Sequence, residues 1–151
     1  MHVSGILHVN INCSNYERSL RFYEMLGFKT LWEVPETNSP EVAAAVGMPP
    51  YHVRGSLLIL DKGINSTMID LLEWKYPRDN EAPYPYLYHL GIARIALATK
   101  DLDADMAVLK AHGVELISDP ACVEVQGFVS RFVCFKDPDG TVLELVEQTT
   151  K

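Results

Sequence analysis

The stretch HVNINCSNYERSLRFYEMLGF, residues 8–28, decides the fold because a second stretch of the chain repeats its pattern. RIALATKDLDADMAVLKAHGV, residues 94–114, aligns with it without a gap and places Arg94 against His8. Apolar and polar residues alternate at the start of each stretch, which is typical of a half-buried strand. Each stretch then changes to helical spacing. The chain is therefore predicted to use one strand-and-helix unit twice.

The helix signals of the two stretches also coincide. Asn15 aligns with Asp101, and such side-chain oxygens can accept hydrogen bonds from the unpaired backbone N–H groups that begin a helix. Gly27 aligns with Gly113, where glycine permits the left-handed conformation that ends a helix. Helical spacing predicts a buried stripe in each helix. The predicted stripes are Tyr16, Leu20, Tyr23 and Leu26 in the first helix, and Leu102, Met106 and Leu109 in the second.

A second pair of segments aligns further along the chain. TMIDLLE, residues 67–73, matches TVLELVE, residues 141–147, and this alignment places Asp70 against Glu144. KDPDGT, residues 136–141, is a strong turn signal that predicts a hairpin. Each half has room for two more strands, at residues 29–34 and 55–60 in the first and residues 115–117 and 128–135 in the second. The predicted unit is βαβββ, used twice.

The predicted organisation is a single domain made of two modules. Residues 1–75 form the first module, residues 88–151 form the second, and the proline-containing residues 76–87 link them. Extra chain in the first module falls in ETNSPEVAAAVGMPPYH, where Ser39 followed by Pro40 predicts a short capped helix. This segment is a candidate cover for a pocket.

Composition excludes several classes of function. The chain has 151 residues, with 13 Lys and Arg against 20 Asp and Glu, so no nucleic-acid partner is expected. No signal-type segment and no apolar run of bilayer length is present, so we expect a cytoplasmic protein without a membrane partner. Cys13, Cys122 and Cys134 are odd in number and have no CxxC spacing. They are expected to be small buried hydrophobes.

Two motifs resemble a known family. LHVNINCSNYERSLRFYEMLGF, residues 7–28, and VCFKDPDGTVLELVE, residues 133–147, are similar to the vicinal oxygen chelate superfamily of glyoxalase I, extradiol dioxygenases and bleomycin-binding proteins. The resemblance covers nearly the whole chain. It implies an α+β fold in which paired βαβββ modules form a cup-shaped mixed sheet, a small organic ligand and a homodimer. It does not imply one activity, because a fold can carry many functions.

The resemblance also indicates candidate site residues. In the metalloenzymes of the superfamily, the first and last strands of each module hold a divalent metal, and those positions match His8, Asp70, Arg94 and Glu144. His8, Asp70 and Glu144 could ligate Zn²⁺, Mn²⁺, Fe²⁺ or Mg²⁺. Arg94 departs from the pattern, because a guanidinium has no lone pair for a metal.

Three interpretations of this set are open. In the first, which charge balance favours, Arg94 replaces the metal by bridging Asp70 and Glu144. In the second, a metal stays on His8 and the two carboxylates while Arg94 receives a substrate carboxylate or enolate oxygen, although two cations then repel each other. In the third, Arg94 forms a structural ion pair only. Four polar residues at repeat-related positions favour a functional cavity, because buried charge needs compensation.

Other side chains are candidates for the walls of the site or for other roles. Glu73 is expected to be solvated, and His89 and His112 are expected to be surface or capping residues. Aromatic residues near the linker and in the second module are candidate ligand contacts. The candidate wall residues are His52, Trp74, Tyr84, Tyr86, Tyr88, Phe128 and Phe132.

The chemistry that this set predicts is proton transfer at a carbon next to a carbonyl or related oxyanion, as in an isomerase or lyase. Glu144 or Asp70 would be the base, and Arg94 would stabilise the developing negative charge. One alternative is a protein that sequesters an antibiotic or toxin without reacting. A second alternative is a divalent-metal enzyme of the glyoxalase or dioxygenase kind, although Arg94 replaces a histidine of the dioxygenase pattern.

Overall fold

The computed structural model describes residues 1–36, 40–60 and 66–150. The chain divides into two compact units, Met1–Glu81 and Ala82–Lys151. The described strands of the first unit form a sheet in the order β1-β4-β3-β2, in which β1 is parallel to β4 and the other neighbours are antiparallel. Its elements are β1 (His8–Asn12), α1 (Tyr16–Met25), β2 (Lys29–Val34), α2 (Pro40–Ala45), β3 (His52–Ile59) and β4 (Met68–Tyr76).

The second unit repeats this plan. Its elements are β5 (Ile95–Thr99), α3 (Leu102–Ala111), β6 (Ala121–Val125), β7 (Phe128–Lys136) and β8 (Val142–Thr150). The sheet order is β5-β8-β7-β6, and β5 is again parallel to its neighbour β8. The predicted α+β fold class with paired βαβββ modules is therefore confirmed.

Both repeated helices begin and end where the alignment predicted. The side chain of Asn15 accepts a hydrogen bond from the Arg18 N–H at 3.0 Å, and that of Asp101 accepts one from the Ala104 N–H at 2.9 Å. Gly27 has a φ of 95° just after α1, and Gly113 has a φ of 74° just after α3. These positive values are inexpensive for glycine and end each helix.

The buried stripe of α3 is confirmed, whereas that of α1 is partly wrong. Leu102, Met106 and Leu109 are all buried. Leu20 of α1 and Leu26, its C-cap, are only half-buried, while Ser19 and Phe22 are buried beside Tyr16 and Tyr23. The face of α1 that meets the sheet is thus rotated from the leucines toward Ser19 and Phe22, a choice that side-chain polarity alone does not predict.

The KDPDGT turn forms as predicted between β7 and β8. Asp137 is buried, and its side-chain Oδ1 accepts hydrogen bonds from the backbone N–H groups of Asp139 at 3.0 Å and Thr141 at 2.8 Å. The backbone N–H of Asp137 donates to the Thr141 carbonyl at 2.9 Å. One aspartate therefore organises the whole turn.

The strand predicted at residues 115–117 is wrong. In this segment the structure has an isolated bridge between Leu116 and Phe135, and the second strand of the unit is β6. β6 reaches β7 through Gln126 and Gly127, whose φ values are 51° and 85°. Two successive positive φ values are typical of the tight hairpin turn that matches the twist of the strands. The Gln-Gly dipeptide was the signal for this hairpin.

The predictions for the short helix and for the three cysteines are confirmed only in part. The short helix after residue 39 is present as α2, and its predicted cap Ser39 lies outside the described residues. Cys13 is buried as expected and Cys134 is half-buried, but Cys122 is exposed because it lies on the edge strand β6. Within the described ranges, no helix has the length and apolar character needed to span a membrane.

Candidate functional site

Strand pleating sorts the side chains of the first unit onto two faces. β1 and β4 are neighbours in register, with Asn10 against Asp70. Ile69 and Leu71 are buried on the face of β4 that α1 contacts. Because successive side chains of a strand alternate, Asp70 lies on the opposite face, together with His8 and Asn10.

Hydrogen bonds order the polar residues of this open face. The Asn10 side-chain amide donates to the backbone carbonyl of Asp70 at 2.9 Å. The indole N–H of Trp74 donates to Asn12 Oδ1 at 2.8 Å, and the Tyr51 ring lies 4.9 Å from that of Trp74. Asn12 and Tyr51 were not predicted as site residues. The matching spacing of Asn10 and Asn12 on one strand was the signal for the polar row.

Asp70 stands out on this face because one of its carboxylate oxygens is isolated. Its Oδ1 atom is buried and has no hydrogen-bond partner among the residues that the structure describes. Burial raises the pKa of Asp70 above its usual value, and the nearby charge of His8 opposes this only in part. A carboxylate without its own partner can accept a proton from a bound molecule.

The second unit contains an ion pair at the repeat-related positions. Arg94 Nε donates to Glu144 Oε2 at 3.1 Å. The Glu144 side chain is 8% exposed and that of Arg94 is 45% exposed. The pair thus joins a buried carboxylate to a cation that reaches solvent. The predicted Arg94–Glu144 contact is therefore present, and the predicted contact of Arg94 with Asp70 stays a prediction.

Cys134 completes this cluster and was missed as a site residue. It pairs with Glu144 across β7 and β8, and its thiol lies 3.8 Å from Glu144 Oε1. Burial raises the pKa of the Cys134 thiol, the Glu144 carboxylate raises it further, and Arg94 lowers it. The thiol is therefore held neutral and able to donate to Glu144. Aligning the two predicted strands in register would have found this neighbour.

The remaining candidate wall residues lie in different environments. Trp74 is half-buried on the Asp70 face, and His52 is exposed at the start of β3. Phe132 is half-buried on β7, while Phe128 is exposed at its start. The aromatic residues ahead of β5 are exposed and stack in pairs, Tyr84 with His89 at 3.9 Å and Tyr86 with Tyr88 at 5.0 Å. Their contact with a ligand stays a prediction.

The expectation for Glu73 is wrong, because this side chain is only 7% exposed. It accepts a hydrogen bond from the Tyr16 backbone N–H at 3.1 Å and pairs with Lys75 at 2.7 Å and Arg78 at 3.6 Å. Burial alone would raise the pKa of Glu73, but Lys75, the Tyr16 N–H and Arg78 together hold it below its usual value. Glu73 thus anchors the first turn of α1 to β4, as the helix dipole favours.

The two histidines expected at the surface are exposed. His112 is the C-cap of α3, and its Nδ1 lies 2.9 Å from the Val108 carbonyl, so its predicted capping role is confirmed. His89 stacks on Tyr84 as described above.

The donor set does not fit a four-ligand metal site. Arg94 stands at one of the four positions where the resemblance predicts a ligand, and it holds the carboxylate of Glu144, which stands at another. Within the described parts of the chain, no three His, Cys, Asp or Glu side chains are grouped so that they could hold a metal ion. His8 and Asp70 of the first unit could still ligate a metal, but two ligands alone make a weak metal site.

Comparisons with known proteins agree with the architecture. The family described as Glyoxalase/Bleomycin resistance protein/Dioxygenase superfamily matches residues 5–145. The uncharacterized protein YwkD of Bacillus subtilis (strain 168) is 31% identical over 153 residues, covering 98% of this chain and all of YwkD.

Several solved structures are similar in fold. A glyoxalase family protein from Bacillus cereus has a TM-score of 0.82 at 18% identity, over 98% of this chain and 96% of that one. The trypanothione-dependent glyoxalase I of Leishmania major has a TM-score of 0.65 at 23% identity, over 96% and 87% of the two chains. TnmS3, an antibiotic binding protein from a Streptomyces species, has a TM-score of 0.64 at 24% identity, over 99% of each chain. At these identities the likeness extends to the fold alone.

Proposed function

Because the chain belongs to the Glyoxalase/Bleomycin resistance protein/Dioxygenase superfamily, we propose that it is an enzyme acting on a small organic molecule. It moves a proton at a carbon next to a carbonyl or related oxyanion, as an isomerase or lyase does. Asp70 is the base, and Arg94 stabilises the negative charge that develops on the substrate oxygen. Each role is supported by the surroundings of the residue within its own unit.

The observation that carries the proposal is the isolated oxygen of Asp70. A buried oxygen without a hydrogen-bond partner among the described side chains and backbone destabilises the fold. Residues that cost stability in this way are typical of functional sites. The raised pKa of Asp70 also brings the carboxylate closer to the basicity that proton abstraction needs near neutral pH.

Between the two candidate bases, the contacts favour Asp70. Both oxygens of Glu144 already accept hydrogen bonds, one from Arg94 at 3.1 Å and one from the Cys134 thiol at 3.8 Å. Glu144 is therefore assigned the task of orienting Arg94. His8 is assigned a supporting role, because its charge favours the ionised form of Asp70.

The test is hydrogen–deuterium exchange at carbon, followed by proton NMR in D₂O. Substoichiometric wild-type protein is incubated with phenylpyruvate, hydroxyacetone and glyceraldehyde, which all carry a hydrogen next to a carbonyl. We expect protein-dependent loss of that C–H signal for at least one probe. Glu144→Gln is expected to slow the exchange about tenfold, because Arg94 loses its orienting partner. Exchange at the buffer rate for all probes would refute the proposal.

The control for this experiment is Glu33→Gln. Glu33 is an exposed carboxylate on β2, which is separated by β3 from the strand that carries Asp70, so the variant removes one negative charge from another part of the same sheet. Its exchange rate should equal that of the wild type.

A sequestering protein is the second candidate function. TnmS3 is an antibiotic binding protein of the same fold, and this chain presents Trp74 on the same face of β4 as Asp70 and an exposed Trp32 on β2. Aromatic faces of this kind can hold a planar ligand. A sequestering protein would return its ligand chemically unchanged after denaturation, whereas the proposed enzyme releases exchanged or rearranged product.

A homodimer and a cytoplasmic location are also part of the proposal. Both follow from the resemblance and from composition, and light scattering on purified protein measures the first directly. A divalent-metal glyoxalase or dioxygenase is disfavoured, because Arg94 holds a carboxylate that such a metal would need.

A further inference from the structure

Among the residues that the structure describes, Arg94 is held through one edge of its guanidinium. Its Nε atom donates to Glu144 Oε2 at 3.1 Å, and the other oxygen of Glu144 faces the Cys134 thiol at 3.8 Å. With both oxygens engaged and its side chain only 8% exposed, Glu144 has little freedom to rotate. Glu144 therefore holds the Arg94 guanidinium at its Nε atom.

The other edge of Arg94 is available to a ligand. A guanidinium has five N–H donors in a planar fork, and the contact with Glu144 uses the one on Nε. The Nη1 and Nη2 groups have no hydrogen-bond partner within residues 1–36, 40–60 and 66–150. The Arg94 side chain is 45% exposed, so these donors can be reached from solvent. Two parallel N–H groups on one edge match the two oxygens of a carboxylate.

The residues around Arg94 leave room for such a ligand. Ala96 pairs directly with Glu144 across β5 and β8, and Ala98 pairs with Val146. Both alanines are exposed, and Phe132 pairs with Val146 from the other side. Ala96, Ala98, Val146 and Phe132 thus place small or apolar side chains on the face beside the ion pair, which fits the body of a small organic molecule.

We infer that the substrate is a small organic acid whose carboxylate binds the Nη edge of Arg94. Since proton transfer next to a carbonyl is the proposed reaction, the inference rests on the proposed function and narrows the substrate class to carboxylic acids that carry a carbonyl. Glu144 lies on the Nε side, so it orients the guanidinium without blocking the ligand edge. Bidentate binding selects a planar two-oxygen group and uses one N–H of each Nη group. The two remaining N–H groups can still stabilise the negative charge that develops on the neighbouring carbonyl oxygen.

The test compares two matched probes, benzoylformate and benzoylformamide. They have the same shape, but only benzoylformate has a carboxylate. Neither has a hydrogen on the carbon next to the ketone, so the proposed reaction cannot obscure binding. We expect wild-type protein to bind benzoylformate at least about tenfold more tightly in an NMR titration, as charge-assisted hydrogen bonds imply.

Variants of Arg94 test the geometry. Arg94→Gln should abolish the preference for benzoylformate, and Arg94→Lys should restore only part of it, because an ammonium lacks the planar fork. The double variant Arg94→Gln with Glu144→Gln avoids leaving Glu144 unpaired and should behave like the single variant. Lys110→Gln removes an exposed cation from α3 of the same unit and should keep the preference. A preference that survives in both Arg94→Gln variants, or that is absent in wild type, would overturn the inference.

Asp70→Asn separates this inference from the proposed function. The variant should keep the preference for benzoylformate while losing exchange at carbon. Arg94-dependent binding without exchange in wild type would refute the proposed reaction and leave the carboxylate site standing. Exchange without an Arg94-dependent preference would refute the carboxylate site alone.

Discussion

Asp70→Asn is expected to lower the rate of exchange at carbon by at least about 100-fold, because a positioned general base contributes 10²–10⁴ to a rate. The same variant is expected to melt at a higher temperature than wild type near neutral pH. Wild type has a carboxyl group with a buried oxygen that lacks a partner in the described part of the chain, and burial disfavours its charged form. The amide of Asn is neutral and costs less to bury. Loss of activity together with a gain in stability would identify Asp70 as a functional residue.

The stability gain of Asp70→Asn over wild type should be larger near neutral pH than at acidic pH. The pKa of Asp70 is raised, so the folded state binds more protons than the unfolded state between the usual value of 3.8 and the raised value. The stability of wild type therefore falls as pH rises through this window. Asn does not titrate. The advantage of the variant should be about 1 kcal/mol near neutral pH, or a rise of about 2–4 °C in Tm, and should shrink on acidification toward the usual value.

Thermal melts by circular dichroism at neutral and acidic pH, paired with the NMR exchange assay, measure both effects. Glu33→Gln is the matched control, because it removes a carboxylate that is exposed on β2. It should change neither the rate nor the pH dependence attributed to Asp70. An Asp70→Asn variant with the wild-type exchange rate, or with a lower Tm at both pH values, would contradict the role assigned to Asp70.

Gly55→Ala is expected to destabilise the chain by about 3 kcal/mol, comparable to overpacking in a core. Gly55 lies on β3 against Leu72 of β4. A Cβ at this position would collide with the backbone carbonyl oxygen of Leu71 and with the side chain of Leu72. A backbone atom cannot move aside as a flexible side chain can. The strand that carries Asp70 would therefore have to shift.

Thermal unfolding measures this effect, with an expected fall in Tm of about 6–12 °C for a chain of this size. Gly5→Ala is the control, because a Cβ added at Gly5 has no described heavy atom within 4 Å. Its Tm should match that of wild type. If the Tm of Gly55→Ala equals the Tm values of Gly5→Ala and wild type, β3 and β4 are not packed as closely as the structure has them.

The repeat made most of the fold predictable. Once residues 8–28 aligned with residues 94–114, the strand, cap, helix and glycine signals of one half supported those of the other. The error at β6 arose because this strand is an edge strand with exposed side chains, so hydrophobic pattern gives little signal there. The error in α1 arose because Ser19 is buried although it is polar.

The candidate site was predictable in outline but not in its contacts. The motif match and the repeat predicted Asp70, Arg94 and Glu144 as site residues, and the structure contains the Arg94–Glu144 ion pair. The isolated oxygen of Asp70 depends on how its neighbours are hydrogen-bonded, which residue order does not reveal. Glu73 shares the strand parity of the buried Ile69 and Leu71, so its burial could have been predicted from alternation.

By holding Glu144, Arg94 is proposed to take the place of a metal ligand. The deciding measurement is elemental mass spectrometry on protein purified without a tag or chelator, soaked in Zn²⁺, Mn²⁺, Fe²⁺ or Mg²⁺ and then desalted. We expect no stoichiometric metal in wild type after any of the four soaks. About one retained equivalent that is lost in His8→Ala would contradict it, because the family's metal chemistry would then survive beside Arg94.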